Sequence, residues 1–215
     1  MQKHQLLTLS GLASVILLVI AFVGLSGSTP GSAESGAAIK TFYVDHHAGQ
    51  ETASYVIALA IPFLVIFAST VRSALVESSD GKNTLWMNIF FGGTLIAAAG
   101  FLSAASLHLA LTSSTKNLST GTMQALNAID NNFHLAFTGG LGVMLLGAAA
   151  GMIPARNGIR WLGWIALSLG VLMFTPLGLI AFVGSGLWIA LTSVALTMRP
   201  KRAPRPGLSE RVSTT

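Results

Sequence analysis

The sequence predicts an all-α membrane protein, a polytopic bundle of six transmembrane helices with both termini on the cytoplasmic side. Three observations carry that expectation. Of the 215 residues, 52% are hydrophobic and only 9% charged, with a mean hydropathy of +0.70, whereas a soluble domain carries about 25% charged residues. Five stretches run without Asp, Glu, Lys or Arg, at 4–33, 52–71, 83–115, 131–155 and 161–198. The basic residues then fall almost entirely on one side of the resulting spans. The same composition excludes a disordered chain, a collagen and a nucleic-acid-binding domain. The pI of about 10.1 only reflects 12 Lys and Arg against 7 Asp and Glu. No Cys is present, so disulfides, thiolate metal sites and cysteine nucleophiles are out.

A helix needs roughly 20 apolar residues to cross the hydrocarbon layer, so each of the first four stretches holds one span. The fifth, 38 residues long, is read as two short spans. Thr175-Pro176-Leu177-Gly178 and Gly184-Ser185-Gly186 supply the breakers, since Pro lacks a donor and Gly frees φ. The expected spans are 6–26, 52–72, 85–110, 131–153, 160–176 and 180–198, giving a transmembrane domain over 1–199. The first could be taken for a signal peptide, but its apolar stretch from Leu6 to Leu25 exceeds the usual signal core of 7–15 residues. It is read as a retained helix.

Charge tests the count. With the N-terminus inside, the inner segments hold Lys3, Arg72, Lys82, Arg156, Arg160, Arg199, Lys201, Arg202, Arg205 and Arg211, and the outer ones only Lys40 and Lys116. That bias is the positive-inside pattern. Trp86, Trp161 and Trp164 follow inner bases, where aromatic rings settle among headgroups. The tail over 200–215, basic and rich in Pro, cannot build a core and is expected to be disordered. The partners implied are the lipid bilayer and, at that tail, anionic lipid; nucleic acid is not among them.

Small residues prepare two spans for close contact. Gly93, Ala97, Gly100 and Ala104 in the third, and Gly139, Gly140, Gly142, Gly147 and Gly151 in the fourth, suit tight packing in lipid. The two are expected to be antiparallel neighbours joined by a loop.

Polar residues near the outer ends are the candidate site. Asn127, Asp130, Asn131 and His134 fall at i, i+3, i+4 and i+7, one helix face. His108 lies near the outer end of the neighbouring span, and Asp45, His46, His47 and Glu51 in the first outer loop. Asp130, His134 and His108 are expected to converge into the bundle with His46 or His47 folded over them, because ionisable residues at membrane depth avoid lipid. The bland alternative makes Asp130 a helix cap, His134 an interfacial side chain and His46-His47 a solvated pair.

Two functions suit this pattern: binding or transport of a small solute or ion, or hydrolysis of lipid by a metal ion held by imidazole and carboxylate. A non-catalytic accessory role is the third. No HExxH, P-loop, GxSxG or nucleotide-binding fingerprint occurs, so no metal ligand set, catalytic residue or cofactor is named and the balance lies against an enzyme.

The stretch TFYVDHHAGQETASYVIALAIPFLVIFASTVRSAL, Thr41 to Leu75, with Gly92-Gly93 and RWLGWIALSLGVL from Arg160 to Leu172, resembles an uncharacterised group of actinobacterial membrane proteins. Phe42-Tyr43 stands where that group's pattern has two tyrosines. The resemblance implies six helices in a bacterial plasma membrane and brings no catalytic residues. Ser103, His108 and Asp130 superficially echo the zinc-dependent hydrolases of the ceramidase type, but the last span holds none of the paired histidines those enzymes need.

Overall fold

The computed structural model describes residues 2–79, 81–154 and 159–198, with side chains from Leu7 onward. Arg156 and the tail from Arg199, with its expected disorder and lipid contacts, lie outside the described residues, as does the side chain of Lys3. All described secondary structure is helical: α1 (Gln2–Val19), running into a π-helical turn (Ile20–Leu25), then α2 (Gly36–Asp45), α3 (His47–Ser78), α4 (Thr84–Ser113), α5 (Thr120–Asn132), α6 (His134–Met152), α7 (Arg160–Leu172) and α8 (Gly178–Thr197). Five segments are long and apolar enough to cross a membrane, with α5 and α6 counted together as Thr120–Met152.

Six helices close into a ring in which α1 packs on α3, α3 on α4, α4 on α6, α6 on α7, α7 on α8, and α8 back on α1. The closest seam joins α4 and α6. A Cβ built on Gly93 would strike the Met144 backbone, one on Gly100 the Phe137 backbone, one on Gly140 the Ala97 backbone and one on Gly147 the Phe90 backbone. The pairing runs downward on one helix as it runs upward on the other, so the two are antiparallel. Gly139 meets nothing within 4 Å and Gly142 meets Phe174; they lie off this seam. Hydrogen bonds tie other seams, Ser14 Oγ to the Ala60 carbonyl at 3.0 Å and Trp188 Nε1 to the Leu162 carbonyl at 2.9 Å. Large apolar side chains such as Val23, Leu135, Leu179 and Leu187 stay exposed around the outside, a surface suited to lipid and not to water.

One expected span is short, and one expectation needs correction. The segment expected as a span over 160–176 forms a helix of only 13 residues, about 20 Å at 1.5 Å per residue. It stops at Leu172 because Pro176 can neither donate nor follow a helical residue, and Thr175 Oγ turns back to the Leu172 carbonyl at 2.8 Å. The segments expected as loops hold two further helices. α2 begins where Ser35 Oγ accepts from the Ala38 N–H, and α5 where Ser119 Oγ accepts from the Thr122 N–H, both at 3.2 Å; these are ordinary N-caps. α2 and α5 pack on each other across one end of the ring, here called the cap end. Trp86, Trp161 and Trp164 lie half-exposed at the opposite end.

Candidate functional site

The cap packs on the end of α4 through a small buried cluster. Ile39, Tyr43, Leu111 and Met123 form a buried cluster separate from the main one. Polar bonds hold the unit together from within. Lys40 Nζ donates to the Leu118 carbonyl at 3.0 Å, Asn127 Nδ2 to the Pro30 and Gly31 carbonyls at 3.2 Å, and Asn131 Nδ2 to the Pro30 carbonyl at 3.0 Å. The last turn of α5 is thereby tied to the link between the π-helical turn and α2.

Beneath the cap a chain of side chains joins four elements. Gln50, in the first turn of α3, donates from Nε2 to the Ser26 carbonyl at 2.7 Å. Ser26 follows the π-helical turn, and Gly27 at φ 57° ends the helix there, a left-handed conformation that glycine adopts without strain. Gly49 leaves α3 room beside the Leu25 carbonyl, which a Cβ would approach to 3.0 Å. Gln50 Oε1 then faces His108 Nε2 on α4, and His108 Nδ1 stands 3.0 Å from Asp130 Oδ2 on α5.

Donor and acceptor roles along this chain follow from its fixed carbonyl end at Ser26 and depend on the His108 tautomer. A carbonyl oxygen only accepts, so the Ser26 bond orients the Gln50 amide with its oxygen toward His108. His108 Nε2 must donate to it. Nδ1 of a neutral ring would then be a lone pair aimed at a carboxylate. The 3.0 Å contact instead requires a proton between Nδ1 and Oδ2, on an imidazolium or on a protonated Asp130. Either form leaves the pair with no net charge. The side chains are only 11% and 14% exposed, and such a hydrogen bond is strengthened when water is excluded.

Two fully buried polar atoms in the cap, Tyr43 Oη and Asn127 Oδ1, have no hydrogen-bond partner among the described residues, each at a cost of about 1–3 kcal/mol. The Tyr43 ring lies edge-on to His108 with centroids 5.6 Å apart. Burial, and then the negative charge of Asp130, push the Tyr43 phenol well above its ordinary range, which keeps it neutral.

Of the expected cluster, His108, Asp130, Asn127 and Asn131 gather at the cap, and three histidines do not join. His134 is exposed, its Nδ1 3.0 Å from the Asn131 carbonyl oxygen. The helix breaks at Phe133, whose N–H bonds the Asp130 carbonyl, so the four-residue spacing no longer keeps His134 on the face of Asp130. His46 is exposed and stacks on Phe42, centroids 4.4 Å apart, and exposed His47 pairs with Glu51 at 3.6 Å. Neither folds over the cluster, because both lie at the α2–α3 junction with local partners. Asp130 is no cap of α6; it sits in the last turn of α5. Among the described residues no three His, Asp or Glu side chains are placed to hold a metal ion.

Gln50, Ser26 and Tyr43 are site residues that the sequence reading did not single out. Gln50 lies one turn from His46 and His47 inside an apolar helix, and that position was the available signal. Below the site, four aromatic rings from four segments meet. Phe101 and Phe137 stack at 4.5 Å, and Phe182 touches both, at 6.1 and 5.3 Å, and Phe22 at 6.0 Å. Phe101 stands two turns of α4 below His108, about 10 Å. No protein-family model, curated protein or solved structure matches the chain.

Proposed function

We propose that this is an ion-binding integral membrane protein of six spans, both termini cytoplasmic, in a bacterial plasma membrane, and that the ion held at its outward-facing cap end is the proton. The observation that carries the reading is His108 placed between two acceptors, Asp130 Oδ2 and Gln50 Oε1, a geometry that needs the extra proton. The aromatic layer of Phe22, Phe101, Phe137 and Phe182 supports access from the cap side alone, which favours reversible proton binding over conduction.

The course of the chain supports six spans. Phe137 near the start of α6 touches Phe182 near the start of α8, so both helices begin at the cap end. The chain must cross back between them, and α7 with its turn is the connection. Both termini then share the end that carries Arg72, Lys82, Arg160 and the half-exposed tryptophans, the cytoplasmic end by the positive-inside pattern. A metal-dependent hydrolase finds less support, since His108 uses both ring nitrogens in hydrogen bonds and keeps no lone pair for a metal.

Two measurements test the reading. Reporter fusions after Gly31, Lys116 and Thr215 are expected to read outside, outside and inside; an outside signal at Thr215 overturns the topology. Nitrogen-15 NMR of labelled histidine and carbon-13 NMR of labelled aspartate, in nanodiscs at neutral pH, read the pair directly. The expected result is an imidazolium at His108 or a protonated Asp130. A neutral ring beside an ionised Asp130 overturns proton binding.

A further inference from the structure

We propose that the proton shared by His108 and Asp130 is a latch that holds the α2–α5 cap on the bundle, closed in acid and released as the outer medium becomes alkaline. The inference rests on the proton-binding reading above and adds a moving part to it. The cap is built to move as a unit. Its small apolar cluster, distinct from the main core, meets the bundle through Leu111 of α4, and Lys40, Asn127 and Asn131 all bond within the cap. Apart from exposed His134 Nδ1 of α6, which stands 3.0 Å from the Asn131 carbonyl of α5, its side-chain hydrogen bonds to the bundle meet at His108 and Gln50. Asp130 bonds His108, and the Ser26 carbonyl at the cap's entry bonds Gln50, which itself bonds His108.

Loss of the proton reverses the sign of that contact. With Nε2 still donating to Gln50, the Nδ1 lone pair would face the Asp130 carboxylate and repel it. Opening the cap relieves the repulsion, and it also hydrates Tyr43 Oη and Asn127 Oδ1, which lack partners in the closed form. The groups facing His108 are Tyr43 from α2, Gln50 from α3 and Asp130 from α5. Tyr43 stays neutral through the physiological range and Gln50 does not titrate. His46, and His47 with Glu51, lie exposed at the α2–α3 junction and His134 at the α5–α6 junction; Glu34, Lys40, Asp45 and Lys116 are the other ionisable groups on or beside the cap helices.

Hydrogen exchange on the full chain in nanodiscs tests the latch, read as protection factors so that the intrinsic pH dependence of exchange drops out. Between about pH 5 and about pH 9, a range that spans histidine titration, α2 and α5 are expected to lose protection by about tenfold or more, the scale of one hydrogen bond to a charged group. The α4–α6 seam is expected to hold its protection. Asp130→Asn is the decisive variant. Its amide donates to the Nδ1 lone pair of a neutral His108, so the cap is expected to stay protected at both pH values. Asp130→Leu is expected to leave the cap open at both, and the α4–α6 seam reports whether that variant still folds. His46→Gln combined with His47→Gln is expected to keep the wild-type response. Flat protection in the wild type, a wild-type response in Asp130→Asn, or a response abolished by the His46 and His47 changes would each overturn the latch. Flat protection beside an NMR-detected proton rejects the latch and leaves proton binding standing, whereas a neutral ring beside an ionised Asp130 rejects both.

Discussion

Gln50 Nε2 donates to the Ser26 carbonyl at 2.7 Å, and that bond aims the Gln50 oxygen at a histidine on another helix. It turns the Gln50 oxygen toward His108 and forces Nε2 to carry a proton. Gln50→Leu removes the demand. His108 can then place its single proton on Nδ1 and keep its bond to an ionised Asp130. Nitrogen-15 NMR of the variant should show a neutral ring protonated at Nδ1 at a pH where the wild-type pair still holds its extra proton. The variant should also lose about 1–2 kcal/mol of stability, since the Ser26 carbonyl and His108 Nε2 lose their partner.

Tyr43 gives a second pH window with its own sign. Its phenol is raised above the ordinary value of 10.0 by burial and by Asp130, so the closed cap favours the neutral form. Stability from this source is complete below the unfolded value, near pH 10, and falls as the pH climbs beyond it. Tyr43→Phe should remove only the part of the decline in cap protection that lies above the ordinary phenol value of 10.0, and leave the decline between about pH 5 and about pH 9 in place. At neutral pH it should leave the cap as stable as before or stabilise it by up to about 1 kcal/mol, because it removes a buried hydroxyl without a partner.

The α4–α6 seam is expected to be intolerant of added side chain. Gly140 faces the Ala97 backbone with no space for a methyl group, and backbone cannot rotate aside as a flexible side chain can. Gly140→Val should cost about 3 kcal/mol or more, read as a fall in thermal midpoint in detergent. Gly139→Val, one residue away with nothing within 4 Å, should cost well under half of that.

The three histidines outside the network serve as controls. His134→Ala, His46→Ala and His47→Ala should each change stability by no more than about 0.5 kcal/mol, as exposed positions do. Each should leave the His108 nitrogen signals unchanged. A shift of those signals in His134→Ala would place that side chain back in the site.

How much was legible follows from the period of each signal. The apolar runs around Leu64, Ala97 and Trp188 mark helices because lipid demands an uninterrupted apolar stretch, and the small residues from Gly93 to Gly100 mark a seam for the same reason. Asp130 and His108 stood out because ionisable residues are rare in such a chain. α2 and α5 escaped the reading because helices of 10 and 13 residues lack that long run, although Ser35 and Ser119 stood ready as caps. His134 was assigned to the cluster because helical spacing assumes an unbroken helix, and Phe133 breaks it.

The sequence by itself determined an all-helical chain with apolar spans and a cluster of ionisable groups near one set of helix ends. Those properties are local or compositional, written in hydropathy over about 20 residues and in the scarcity of charge. Tertiary structure alone decided that His108 pairs with Asp130, 22 residues away, and with Gln50, 58 residues away. It alone decided that Gln50 is oriented by Ser26 and that His46, His47 and His134 stay outside. A hydrogen bond depends on distances near 3 Å and on which atom donates, and no pattern along one chain carries that information until the helices have packed.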